Sequence, residues 1–212
     1  MLTKDILLKR VLPSIFVTTM VLIVVAFFMV KKNSTKFHEV KVSFNLEDMN
    51  GNLFTEKKLK QKPSLLFFGF THCPDVCPAS LQLLSNLIED MGKDADKINY
   101  YFFTADPDRD TKEVLKKYLS SFNSKILGVT GKKEELQKLY QALNIYIKKV
   151  DLGKDNYTID HTASFTILNS ESEKVGTMIH EGFSKLIVID NLGKVQFPKE
   201  DVVGNLKKLL EP

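Results

Sequence analysis

Cys73 and Cys77 are the two cysteines of the 212-residue chain, four positions apart in FGFTHCPDVCPASLQLL (68–84), each followed by proline and the first preceded by His72. Two cysteines this close cannot staple a domain. With Cα atoms about 4.4–6.8 Å apart, such a pair can form a disulfide, share a soft metal ion, or alternate between the two. A lone buried cysteine is usually inert packing, but two thiols framed by proline and aspartate after an apolar run point to redox or metal chemistry. Two thiolates do not complete a four-coordinate zinc site, so a metal would need a further ligand. The histidines are His38, His72, His161 and His180. His38 falls in a polar linker and is expected to be solvated. The side chain of His72 should diverge from that of Cys73, leaving it a polar neighbour of the thiols, and His180 should end a strand at the surface. His161, in YTIDHTASFTIL with Asp160 beside it, should stand just before a strand in the second half of the domain. From there the chain can return to the edge that carries the cysteines.

The surrounding pattern indicates what positions these groups. Ser64–Phe70, SLLFFGF, is a continuous apolar run, consistent with a buried central strand. Pro78–Met91 reads as a helix with Leu81, Leu84, Leu87 and Ile88 on one face and Gly92 as its stop. Pro78 suits the first helical position, which puts Cys77 at or beside the N-cap, where free N–H groups favour a thiolate. Before this unit, VSFNLEDMNGNLFTEKKL predicts a hairpin about Asn50-Gly51. After it come a strand over 98–105, a helix capped by Asp110 or Thr111 and running to Phe122, a strand in KILGVT and a helix over 132–143. Extended NIYIKKVDL follows, then strand-like SFTIL, KVGTMIH and LIVIDNLGKVQF, and a closing helix over 201–210. Alternation of this kind predicts an α/β layer with a partly parallel sheet.

The N-terminal residues differ in kind. After a ten-residue tail, residues 11–30 (VLPSIFVTTMVLIVVAFFMV) carry no charge and, at about 1.5 Å per helical residue, are long enough for a transmembrane helix. VAFFMVKK offers no small-residue cleavage site, so the span is expected to stay as an anchor. Residues 31–42 then read as a linker and 43–212 as the domain. Six basic residues and one acidic precede residue 37, leaving 24 basic against 25 acidic in 37–212. The overall charge of +4 therefore belongs to the membrane flanks, and the domain offers no electrostatic case for nucleic acid.

FGFTHCPDVCP, followed by TADPDRDT (104–111) and DHT (160–162), resembles the Sco/SenC family of membrane-anchored copper-binding proteins. The likeness runs over about residues 43–170 and includes FNLEDMNGNLFTEKKLKQK and ILGVTGKKEEL. It implies a thioredoxin-like fold with an extra N-terminal β-hairpin, preceded by one transmembrane helix. It also implies that Cys73 and Cys77 are the copper-binding, redox-active thiols and His161 the third ligand. Two thiolates and an imidazole suit copper, sulfur favouring Cu(I) and nitrogen accommodating Cu(II). Asp160 is a candidate to orient His161 through its other ring nitrogen. Asp106, in a strand-end loop, should approach the same edge, either as part of the site or as a turn aspartate.

The role implied is assembly of cytochrome c oxidase, with copper delivered to the CuA centre of subunit II. The alternative is a thiol–disulfide oxidoreductase that reduces the cysteines of subunit II, and other copper or thiol-redox assembly factors are further expected partners. A peroxiredoxin-type peroxidase shares the fold, but a vicinal pair with a distant histidine suits a metal better than one peroxidatic thiolate. The ten residues before Val11 lack the Arg-rich presequence of mitochondrial import. The expected location is therefore a bacterial inner membrane with the domain in the periplasm, the alternative being a mitochondrial inner membrane facing the intermembrane space. One departure stands out: at least three strand-like pieces follow DHT, where the family closes with a single short hairpin.

Overall fold

Residues 64–69 have no charged side chain, and burial of every one of them makes this segment an inner strand. It belongs to a computed structural model that describes residues 15–22, 38–60, 62–154, 156–180, 186–190 and 204. The strands and helices in chain order are β1 (His38–Glu39), β2 (Asn45–Asp48), β3 (Leu53–Thr55), β4 (Ser64–Gly69), α1 (Val76–Met91), β5 (Asn99–Thr104), α2 (Lys112–Leu119), β6 (Ile126–Thr130) and α3 (Lys133–Leu143). They continue as β7 (Ile147–Gly153), β8 (Asn156–His161), β9 (Phe165–Leu168), β10 (Glu173–His180) and β11 (Leu186–Asp190).

The main sheet runs β1-β10-β9-β4-β5-β6-β2-β3, with β11 also paired to β10. β4, β5 and β6 are parallel, as expected of strands joined by helical crossovers, whereas β9 lies antiparallel against β4. Side chains of β4 alternate between the faces. Leu65 and Phe67 join Leu81 and Leu84 of α1 and Leu115 of α2, while Leu66 and Phe68 join Leu136 and Leu139 of α3 and Phe54 of the leading hairpin. The sheet is thus covered on both faces, and α1 is held so that its N-terminal end meets the C-terminal end of β4.

The expected hairpin is present: β2 and β3 pair antiparallel, Gly51 takes φ +85° in the turn, and β2 extends the sheet beside β6. The helix expected to be capped by Asp110 or Thr111 is capped by Thr111, whose side chain accepts from the Val114 N–H. Three expectations are corrected. His38, expected in a polar linker, lies in strand β1 paired to Lys174, with Val40 buried after it. His161, expected only to precede the strand that is β9, also ends a strand of its own, β8, which pairs with β7 in a separate two-stranded sheet. And Pro78 is the third residue of α1, not the first, so Cys77 lies within the first turn and Asp75 is the N-cap.

Of the strand-like pieces after His161, β10 and β11 extend the main sheet past β9 as an antiparallel pair. The closing helix over 201–210 lies outside the described residues apart from helical Gly204. The chain divides into two compact units, an N-terminal one of residues 1–37 and one of residues 38–212. Within the N-terminal unit 15–22 is helical, with Ile15, Phe16, Val17, Met20, Val21 and Leu22 exposed. No helix among the described residues is long and apolar enough to cross a membrane, and the rest of the span expected over 11–30 lies outside them.

Candidate metal centre

The chain leaves β4 at Gly69, turns through 70–75 and enters α1. Parallel β5 beside β4 fixes the start of this turn, because the Ala105 N–H donates to the Gly69 carbonyl at 2.6 Å. Asp110 fixes its middle. This fully buried carboxylate accepts from the Thr71 hydroxyl at 2.6 Å, the Thr71 N–H at 3.1 Å and the Thr104 hydroxyl at 2.7 Å, and burial raises its pKa. The Cys73 N–H then closes a turn onto the Phe70 carbonyl at 3.2 Å. These bonds leave Cys73 half-buried and Cys77 fully buried beneath it, with the Cys77 N–H directed at Cys73 Sγ at 3.5 Å. Gly69 makes room: a Cβ there would stand 2.8 Å from Cys77 Sγ.

His161 arrives from the β7–β8 hairpin. In a strand alternate side chains share a face, so Tyr157, Ile159 and His161 turn inward together while exposed Asp160 turns outward. Asp160 therefore does not orient the imidazole. The Thr162 carbonyl does: it lies 3.1 Å from His161 Nδ1 and can only accept, so Nδ1 donates to it and Nε2 faces Cys77 Sγ at 3.5 Å. The rings of Phe67 and Phe70 meet the imidazole edge to face at 6.3 and 5.8 Å and restrict its rotation.

The two sulfurs and the imidazole nitrogen lie within 4.8 Å of one another and form the candidate metal-ligating group among the described residues. Both cysteines are free thiols, in unlike states. The Cys77 thiol and the N–H groups of Cys77 and Asp75 favour charge on Cys73 and outweigh its burial, bringing its pKa down to about 3. The Cys73 charge and complete burial push Cys77 the other way. The metal-free site thus holds one thiolate and one thiol beside the His161 imidazole. These donors fit a soft or borderline ion, whose binding would expel the remaining thiol proton.

The other sequence candidates take lesser parts. His72 is exposed, its Nδ1 3.2 Å from Thr71 Oγ1. His180 ends β10, as expected. Asp106 is buried but not in the ligand group: it pairs with Arg109 and accepts from the Tyr157 hydroxyl at 3.0 Å. Arg109 and Tyr157 were not read from the sequence as part of the site. A signal was there, since Arg109 is the only arginine after residue 10 in a chain that otherwise uses lysine.

A sheet with a thiol pair where its central parallel strand enters a helix, joined by a histidine from a later hairpin, defines a metal-competent protein of thioredoxin-like fold. Residues 32–195 match the SCO1/SenC family, and the chain belongs to it. It is similar to "Protein SCO2, mitochondrial" of Saccharomyces cerevisiae, 40% identical over 138 residues that cover 64% of this chain and 46% of that protein. It is likewise similar to the "SCO2-like protein" of Rickettsia felis, 40% identical over 127 residues, 59% of this chain and 62% of that one. The chain thus matches less than two thirds of the length of these relatives. Among solved structures, Bradyrhizobium japonicum ScoI with copper bound has a TM-score of 0.67 and 38% identity, covering 80% of this chain and 98% of that one. Yeast Sco1 with copper bound has a TM-score of 0.64 and 30% identity, covering 80% and 87%.

Proposed function

We propose that this protein is a membrane-anchored copper metallochaperone: it takes one copper ion as cargo on Cys73, Cys77 and His161 and assists assembly of the CuA site in subunit II of cytochrome c oxidase. The observation that carries the reading is the convergence of two sulfurs and an imidazole nitrogen, the latter 84 residues from the nearer cysteine, within 4.8 Å. A thiol pair engaged only in electron exchange has no use for a third ligand atom held this close to the sulfurs. Copper in the ScoI and Sco1 structures supports the choice of metal. Hydration of both thiols is limited by burial, and the soft donor set favours the cuprous ion. The anchor over 11–30 and a periplasmic domain, or a domain in the mitochondrial intermembrane space, complete the proposal.

A second reading is favoured by the unlike states of the thiols. Cys73, held as thiolate, would attack a disulfide of the target and form a mixed disulfide, releasing the first target thiolate. Cys77, on losing its proton, would displace the second target thiolate, leaving a Cys73–Cys77 disulfide and two electrons on the target. The test is copper titration of the full chain in detergent, wild type against His161→Ala, beside a disulfide-reduction assay on the same samples. The copper reading predicts one ion per chain and a weakening in the variant of at least the roughly 10–100-fold that loss of a ligand's mere hydrogen-bond partner costs. Unchanged copper affinity with intact disulfide reduction would overturn it in favour of the redox reading.

A further inference from the structure

The hairpin that brings His161 to the thiols is not hydrogen-bonded into the main sheet. Most of its residues face solvent on β7, and on β8 only Ile159 is fully buried. Its feet are fixed where the Ile145 N–H donates to Tyr140 and where β9 joins β4. Beyond them a two-stranded ribbon is marginal in water and needs something to pack on. Ile159 packs in the core with Ile147 and Tyr157 against it, and we propose that Arg109 completes this support, a positioning residue that latches the hairpin, and with it His161, against the cysteine turn.

The guanidinium does this from both sides. Toward the hairpin, Nη1 donates to the Tyr157 carbonyl at 3.2 Å and the guanidinium carbon lies 3.8 Å from the centre of the Tyr157 ring. Nε pairs with Asp106, whose other oxygen accepts from the Tyr157 hydroxyl at 3.0 Å, so the ring is held at its face and its tip. Toward the thiols, the guanidinium lies 6.0 Å from the Phe70 ring, which also meets His161 at 5.8 Å and whose carbonyl accepts the Cys73 N–H. Tyr157 and His161 share the inner face of β8, about 13 Å apart at roughly 3.3 Å per residue. A strand held at that distance by a stack, a carbonyl bond and a carboxylate bridge cannot roll the imidazole away from Cys77. Lysine could supply the charge but not the planar fork that makes these contacts together.

The effect on the hairpin is independent of any metal, whereas the effect on copper rests on the function proposed above. Hydrogen exchange on the metal-free full chain in detergent tests the first. Arg109→Lys should speed exchange of the 156–161 amides roughly ten- to hundredfold, the loss expected for charge-assisted bonds, while β4 and β5 amides keep their rates. Tyr157→Leu, which removes the other half of the stack, should give the same pattern. Unchanged exchange on β8 in both variants would overturn the latch, as would acceleration spread evenly over the sheet. Copper affinity of Arg109→Lys, His161→Ala and the double variant tests the second. If Arg109 acts through His161, the double variant binds no more weakly than His161→Ala alone. Additive losses would overturn the positioning role. If His161→Ala itself leaves copper affinity intact, the copper reading fails and the exchange pattern still decides the latch.

Discussion

Gly69→Ala tests how tightly the fold positions Cys77. A Cβ at position 69 would stand 2.8 Å from Cys77 Sγ, 3.0 Å from the Phe67 ring and 3.1 Å from the Phe102 ring. Restoring ordinary contact at 3.4 Å requires Sγ to retreat by about 0.6 Å, since both rings are themselves fully buried and close the other directions. Gly69 is not among the glycines with positive φ, so the substitution adds bulk without backbone strain. Overpacking of this kind costs about 1–3 kcal/mol. At about 2–4 °C per kcal/mol for a chain of this size, Tm should fall by roughly 2–12 °C. A 0.6 Å displacement also exceeds the roughly 0.2 Å tolerance of metal–ligand distances, so copper affinity should drop at least about tenfold. The assay is thermal unfolding of the metal-free protein together with a copper competition titration. Unchanged Tm and unchanged copper affinity would refute the argument that Gly69 is required for the close approach of Cys77.

Other outcomes follow from the same site. Alkylation of metal-free protein by iodoacetamide should modify Cys73 at a rate nearly independent of pH from about 8 down to about 5, because its pKa is lowered to about 3, while buried Cys77 stays unmodified. A rate falling tenfold per pH unit below about 8 would contradict the assigned thiolate. Burial raises the pKa of Asp110 above its unfolded value, so its ionisation costs stability as pH rises from about 4 through the folded pKa. Chemical denaturation should therefore show Asp110→Asn gaining stability relative to wild type between pH 4 and pH 7; a relative loss over that window would contradict the sign.

The strand–helix junction was legible because its causes are local: an apolar run long enough to be an inner strand, a turn, then leucines at helical spacing. The position of Cys77 within α1 was not, since all first-turn N–H groups lack intrahelical partners and proline is tolerated at more than one of them. β8 was missed for a physical reason as well. Extended NIYIKKVDL is expected from the sequence, but its partner NYTIDH is short and buries only Ile159, too little apolar alternation to mark a strand packed on a core. His161 therefore reads only as the approach to β9, and the structure brings it to the cysteines from the end of β8. Adjacency makes Asp160 a candidate to orient the imidazole in the sequence, yet adjacency in a strand is what sends two side chains to opposite faces. Asp106 and Arg109 in DPDRD read locally as a turn. Their other partner, Tyr157, lies 48 residues beyond Arg109, and only the fold reveals that the turn supports the hairpin.

The central claim is that one copper ion is held by two thiolates and one imidazole. X-ray absorption at the copper edge, on the full chain loaded with Cu(I), tests it most directly. Wild type is predicted to show two sulfur scatterers and one nitrogen, and His161→Ala to lose the nitrogen while both sulfurs remain. The same nitrogen contribution in both proteins, or a wild-type ion with sulfur ligands alone, would contradict the account.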